Sequence, residues 1–368
     1  MLTGKGWFIW QIPRCAGGEP AAIAARAVEA GCTHVLLKIA ERTHAFGFDR
    51  LGRDLAAPVA AALRARGLAV WGWHYVYGDN PVGEATAAVQ RVQQLGLDGY
   101  VIDAEQEYKH PGKAVSARMF MNTLRQGLPQ TQIALSSYRF PAYHQQLPWS
   151  VFLEQCDYAM PQVYWEGAHN PAQQLERCAG EYANPRLVGT PRPVIPTGAA
   201  YGTGQWRATA GDVRQFLQKA IALNLPAANL YSWDFADQPG QADLWEAAAS
   251  VAWPTAAAPQ PDILARWAAA LTAGDVEAVL ALYAPDAAHI TPARTRVGLA
   301  ALRDWYTDLL HGRAPGAAFA VEEAGRPGAG FRRFAWHTQG GAALAGEDIL
   351  GLRDGRIAYH TTSLTAGA

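Results

Sequence analysis

The sequence predicts an α/β fold, a (β/α)8 TIM-type barrel, followed by a small α+β domain shaped as a cone-like barrel. Three observations predict it. Between residues 5 and 250, apolar β-branched or aromatic runs alternate with Ala-rich amphipathic stretches. A Pro- and Ala-rich break, "VAWPTAAAPQPD", then interrupts the pattern. Beyond it, helical stretches come first and strand-like runs follow, the order of a helix layer on an antiparallel sheet.

The barrel strands are expected at "GWFIWQI" (6–12), "HVLLKIA" (34–40), "AVWGWHYVY" (69–77), "YVIDAE" (100–105), "QIALSSY" (132–138), "YAMPQVYW" (158–165), "PVIPTG" (193–198) and "NLYSWDF" (229–235). Helices are expected between them. "EPAAIAARAVEAG" has Pro early and Gly at its end, and "LAAPVAAALRARG" closes on Arg and Gly, as helix termini prefer. "TAGDVRQFLQKAIALN" opens on a capping Thr and carries apolar residues at helical spacing. Eight strand–helix units spanning about 250 residues suit a closed barrel. An open doubly wound sheet would want a Gly-rich phosphate loop after the first strand, and "QIPRCAGGEP" does not fit one. The expected domains are a barrel over 1–250, a linker over 251–261 and an α+β domain over 262–368.

In the last segment "ILARWAAALTAG", "DVEAVLALYAPDA" and "GLAALRDWYTDLLHG" read as helices, with the short run "AHITPAR" between the second and third. "AAFAVEEAG", "FRRFAWHTQGG", "GEDILGLRDG" and "RIAYHTTSL" read as strands, and Asp-Gly in "LRDGRI" marks a hairpin. On "AGDVEAVLALYAPDAAHITP", "GLAALRDWYTDLL" and "ILGLRDGRIAYH", residues 262–365 resemble the SnoaL-like branch of the nuclear transport factor 2-like superfamily. That resemblance implies a cone with an internal pocket, and a homodimer formed through this domain. Asp286, His289, His337, His360, Tyr306 and Trp336 are the candidate lining of the pocket.

Composition excludes several functions. The 31 basic and 32 acidic residues nearly cancel, so no field favours nucleic acid or an anionic membrane. No run of about 18 apolar residues can span a bilayer. The start, "MLTGKGWFIWQI", has no basic-then-apolar leader pattern. The expectation is a cytoplasmic protein, or a trimmed or phage-type exported one. Cys15, Cys32, Cys156 and Cys178 form no metal spacing and read as buried thiols. No metal or other cofactor is expected.

The informative stretch is "LDGYVIDAEQEY" (97–108). An apolar strand there ends in acids, and side chains two apart share a face, roughly 6–7 Å apart. Two neighbouring buried carboxylates are costly unless they are used or paired. Chemistry in such barrels sits at the C-terminal strand ends. Those ends supply Trp10, Lys38, Glu41, Trp73, His74, Tyr75, Asp103, Glu105, Glu107, Ser136, Ser137, Arg139, Gln162, Tyr164, Glu166, Trp233 and Asp234. Acids, amides and aromatic faces together suit a sugar site.

"LDGYVIDAE" resembles the fourth-strand signature of family 18 chitinases, with Val101 where that family usually carries an acid. "MPQVYW" is similar to its sixth-strand region, and the pair with "IDAE" is as similar to family 25 lysozymes, whose first-strand Asp has no counterpart in "GWFIWQI". The resemblance implies a glycosidase for N-acetylated polysaccharide, peptidoglycan or chitin. Glu105 would be the general acid. Asp103 would raise its proton affinity and orient the substrate acetamide, which Tyr164 would also hold. Trp233 would floor the reacting sugar, with Trp10, Lys38, His74, Tyr75, Gln162, Glu166 and Asp234 as further binding residues. The residues leave other readings open: a structural ion pair of Asp103 with Lys38 or Arg139, a carbohydrate-binding barrel without activity, and an active centre in the last domain instead.

Overall fold

The computed structural model describes residues 2–254, 262–323, 331–340, 342–353 and 355–366. The chain divides into two compact units, Met1–Ala256 and Ala257–Ala368. Residues 255–261, most of the expected linker, lie outside the described residues.

The first unit is a closed parallel barrel. Its strands are β1 (Gly4–Ile9), β2 (His34–Glu41), β3 (Ala69–Val76), β4 (Gly99–Ala104), β5 (Gln132–Tyr138), β6 (Tyr158–Val163), β7 (Thr197–Ala199) and β8 (Ala227–Tyr231). Each pairs in parallel with its sequence neighbours, and β1 pairs with both β8 and β2 to close the ring. The main outer helices are α1 (Pro20–Glu29), α2 (Ala56–Ala65), α3 (Pro81–Leu95), α4 (Lys113–Gly127), α5 (Trp149–Leu153), α6 (Pro171–Tyr182), α7 (Ala210–Ala222) and α8 (Ala242–Ser250). Thr209 and Asp212 close a reciprocal capping box at the start of α7, which satisfies donors a helix N-terminus otherwise leaves open.

The last two barrel strands depart most from the expected runs. β7 holds only Thr197–Ala199, because Pro193 and Pro196 have no N–H to give a ladder. β8 stops at Tyr231, and Trp233–Ala236 turns into helix.

Side chains alternate between two cores. Inside the ring, Phe8, Leu36, Trp71, Val101, Ala134, Met160 and Ile195 pack on one another. Outside, Ile9, Leu37, Ile102, Leu135 and Val163 meet the helices. Gly99 makes room for an inner residue: a Cβ there would sit 2.3 Å from the Trp71 indole. Lys5 ties β1 to the end of α8, donating to the carbonyls of Ala248 and Val251 at 2.6 Å each. These are carbonyls a helix C-terminus leaves unpaired.

Two buried histidines give the barrel an acid limit. His34 Nε2 meets Asn229 Oδ1 at 2.6 Å, and His74 lies between Tyr100 Oη and the Arg42 carbonyl. Desolvation holds both imidazoles neutral, with pKa lowered from 6.5 to about 4. Between those values the unfolded chain binds more protons than the folded one, so stability falls as pH falls through the window and levels off below it. Each histidine accounts for a loss on the order of 3 kcal/mol. Urea melts at pH 7 and 4.5 should show a smaller stability difference in His74→Gln than in the natural chain. An equal difference would mean that His74 carries none of the effect.

The second unit holds α9 (Ile263–Thr272), α10 (Val276–Leu280) and α11 (Gly298–Thr307) against a six-stranded sheet. The strands are β9 (Tyr283–Ile290), β10 (Thr295–Val297), β11 (Ala318–Glu323), β12 (Phe331–Gln339), β13 (Leu344–Arg353) and β14 (Arg356–Ala366), in the order β10-β9-β14-β13-β12-β11. Only β9 and β14 run parallel. The β13–β14 hairpin closes where Asp-Gly marks it, with Arg353 opposite Arg356; Asp354 itself lies outside the described residues. The helix expected over "DVEAVLALYAPDA" ends at Leu280, and Tyr283 already begins a strand. Pro285 explains the stop, since proline in a helix interior removes a hydrogen bond and clashes with the preceding turn.

Candidate active site

Register places the acid pair. Asp103 lies opposite Tyr75 on β3 and Ser136 on β5, and Gln162 on β6 lies opposite Tyr138. Odd-numbered positions of β3 and β4 face the ring's interior, so Trp73, Tyr75, Asp103 and Glu105 all reach one cavity of about 230 Å³. Phe8, Trp10, Lys38, Ser136, Gln162, Tyr164 and Tyr231 complete its wall.

Gln162 joins the two acids. Its Nε2 donates to Asp103 Oδ1 and to Glu105 Oε1, each at 2.8 Å. An amide nitrogen has two hydrogens, so both are used on carboxylates. Asp103 is buried, and desolvation first, then the neighbouring Glu105 charge, pushes its pKa well above the carboxylate range. Desolvation also raises Glu105. Two carboxylates this close keep a proton between them beyond the pH at which either alone would lose it. A carboxyl pair that holds a proton more tightly than a free acid can donate it and accept one afterwards, the requirement for general acid–base work.

The cation in the cavity acts on Asp103 only at a distance, since its contact partner is another acid. Lys38 Nζ bonds Glu41 Oε2 at 2.8 Å and lies 5.0 Å from the Trp73 ring centre and 5.6 Å from that of Trp10. Among the described residues, neither Lys38 nor Arg139 forms an ion pair with Asp103. Tyr75 donates its hydroxyl to Glu107 at 3.0 Å. Tyr164 packs on Tyr201 and Tyr231, with ring centres 5.3 and 6.1 Å away.

Of the residues expected here, Asp103, Glu105, Tyr164, Trp10, Lys38, Tyr75 and Gln162 line the cavity. Glu166 lines an adjoining one. His74 does not join them: its even-numbered position points it away from the cavity, and it is fully buried against Tyr100. Trp233 is also misplaced by the sequence reading. It lies beyond the end of β8, fully buried, with its ring 4.5 Å from that of Trp245 on α8. Asp234 is buried and acts indirectly, accepting the Trp10 backbone N–H at 3.0 Å. Phe8 and Tyr231 are lining residues absent from the expected strand-end set, and Trp73 and Ser136 belong to that set without an assigned role. Period-two alternation is the signal that finds Tyr231, which stands two before Trp233, and gives Trp73, two before Tyr75, its place on the wall.

The second unit has a polar interior of its own. Tyr283 Oη is hydrogen-bonded to Tyr306 Oη and lies 2.6 Å from His360 Nδ1. His360 Nε2 meets Asp348 Oδ2 at 2.6 Å, and Thr362 links Asp348 to His289. Burial pushes His289 down to about 2.

Comparisons with known proteins divide along the same line. Residues 264–360 match the family model described as the SnoaL-like domain. This segment is a SnoaL-like domain. A protein from Sphaerobacter thermophilus matches 28% of the chain and 94% of its own, at 22% identity and TM-score 0.25. A family GH18 chitinase from Cycas revoluta, solved with allosamidin, matches 67% of the chain and 98% of its own at 11% identity and TM-score 0.51. A chitinase from Chromobacterium violaceum covers the same shares at 12% identity and TM-score 0.49. The Cycas likeness shows a shared fold for the barrel. No curated protein matches the chain.

Within the SnoaL-like domain, His289, His360, Tyr306 and Trp336 are buried in the interior. Asp286 and His337 are exposed, with Asp286 held by Arg353. The Tyr306–Tyr283–His360–Asp348 chain is continuous in hydrogen bonds, while His289 Nδ1 and Asp348 Oδ1 are buried without a partner among the described residues.

Proposed function

We propose that the barrel is a glycoside hydrolase acting on N-acetylated polysaccharide. The observation that carries this reading is the Asp103–Glu105 pair, bridged by Gln162 and set in an aromatic cavity. Glu105, half-buried, protonates the glycosidic oxygen and then activates water. Asp103, deeper and closer to Ser136, orients the acetamide whose carbonyl oxygen attacks the anomeric carbon. Gln162 fixes both carboxylates, and Tyr164 supports the acetamide. Trp10, Trp73 and Tyr231 give the sugar ring aromatic faces. Such a substrate-assisted route needs no carboxylate nucleophile, which fits a cavity whose lining acids are Asp103 and Glu105 alone. The SnoaL-like domain serves as an accessory binding or dimerising module in this reading.

The test is reducing-end release from N-acetylated oligosaccharides, with the anomer of the first-formed product read by NMR. Retention of configuration is expected. Inversion would remove the acetamide from the role of nucleophile. Tight binding with no cleavage of any oligosaccharide would make the barrel a carbohydrate-binding module instead.

A further inference from the structure

A second cavity, of about 310 Å³, adjoins the first and shares Gln162 and Tyr164 with it. Tyr138, Arg139, Phe140, Tyr143, His144 and Glu166 form the rest of its wall. Neither Arg139 in its wall nor Lys109 beside Tyr138 and His144 forms an ion pair among the described residues. Arg139 is half-buried, with its guanidinium carbon 5.2 Å from the Phe140 ring centre. Among the described residues no carboxylate oxygen comes within 4.0 Å of it. Lys109 Nζ lies 4.3 Å from the Tyr138 ring centre and 3.3 Å from His144 Nδ1, also without an ion pair. His144 stacks on Tyr138 with 3.8 Å between ring centres. Burial, then the Lys109 and Arg139 charges, lowers its pKa, so a neutral His144 accepts from Lys109. The one acid in the wall, Glu166, is held by hydroxyls: Tyr201 donates to it at 3.2 Å, and Thr203 to its other oxygen.

A guanidinium that has lost part of its water and feels the Glu166 charge only at a distance, with no contact ion pair, is an unfilled hydrogen-bonding position. The group that fills it best is a planar carboxylate, which Arg binds through two parallel hydrogen bonds. The aromatic wall around it offers a face to a sugar ring. We propose that this cavity is a subsite for a sugar bearing a carboxylate, so that the barrel's substrate is an anionic N-acetylated glycan and not a neutral one. The inference rests on the reading of the adjoining acid pair as a glycan-cleaving centre. The carboxylate could be an ether-linked lactyl group on an amino sugar or the C6 carboxylate of a hexuronate. Both present the same chemistry to Arg139 and Lys109.

Four tetrasaccharides separate the cases: alternating N-acetylglucosamine and N-acetylmuramic acid, the same chain with its carboxyls reduced to alcohols, alternating N-acetylhexosamine and hexuronate, and neutral N-acetylglucosamine alone. Binding is measured by calorimetry on the full chain carrying Glu105→Gln, and cleavage on the natural chain. At least one acidic chain should bind ten times more tightly than the neutral ones or better, and the acidic chain preferred identifies the carboxylate. Adding Arg139→Gln should bring that ratio close to one, while Arg139→Lys should keep part of it. Equal affinity for acidic and neutral chains overturns the subsite, as does a preference that survives Arg139→Gln combined with Lys109→Gln. A preference without cleavage of any chain leaves the subsite standing and removes the hydrolase reading. Cleavage of neutral and acidic chains alike does the reverse. Failure of all four to bind removes both.

Discussion

Glu105→Gln should lower kcat on N-acetylated oligosaccharides by about 10²–10⁴-fold, the usual share of a general acid, while leaving the barrel at least as stable as before. The two halves of that expectation come from one piece of geometry. Glu105 and Asp103 share the Gln162 amide nitrogen as donor, and burial raises the proton affinity of each. An amide at 105 has the same shape but no proton to give. It also removes one member of a pair whose charges repel in a poorly solvated place, a strain the fold tolerates for a use. Urea midpoints at pH 7 and single-turnover rates measured on the same preparation separate the effects. A large loss of stability would make Glu105 a structural residue. A kcat within a fewfold of the natural chain would remove it from the role of acid.

Much of this site was legible in the sequence because its key pair is local. Asp103 and Glu105 stand two apart on one strand, and strand pleating alone puts them on one face. Trp10, Lys38, Tyr75 and Tyr164 followed from their places at strand ends. What escaped the sequence depends on neighbours far along the chain. Nothing near Gln162 announces that it bridges two acids some 60 residues earlier; the β4–β5–β6 register decides that. Lys38 reads as a partner for Asp103 by charge, yet Glu41, three residues away, reaches it first. His74 reads as a site residue by type, and parity turns it outward. In the second unit, local helix propensity carried the expectation past Pro285, where the chain begins a strand.

Trp233→Ala and Tyr231→Ala should fail in different ways. Trp233 has no exposed surface, sits in the layer between strands and helices, and packs its indole on Trp245. Replacing it by Ala leaves a large hole, and buried Trp or Phe truncations cost about 3–5 kcal/mol. Tyr231 faces the ring's interior, 6.3 Å from the Trp73 ring centre and on the cavity wall. Its truncation should raise KM about tenfold, equivalent to roughly 1.4 kcal/mol of lost binding, with a much smaller loss of stability. The sequence points to Trp233 because tryptophan at the last strand's end is the larger aromatic. The chain, however, leaves the strand after Tyr231, so the alternation that orders the other seven strands no longer applies two residues later. Trp233→Phe, which keeps a ring in the hole, covers the case in which the Ala variant does not fold. A KM raised by either Trp233 variant, with KM unchanged in Tyr231→Ala, would return the sugar platform to Trp233.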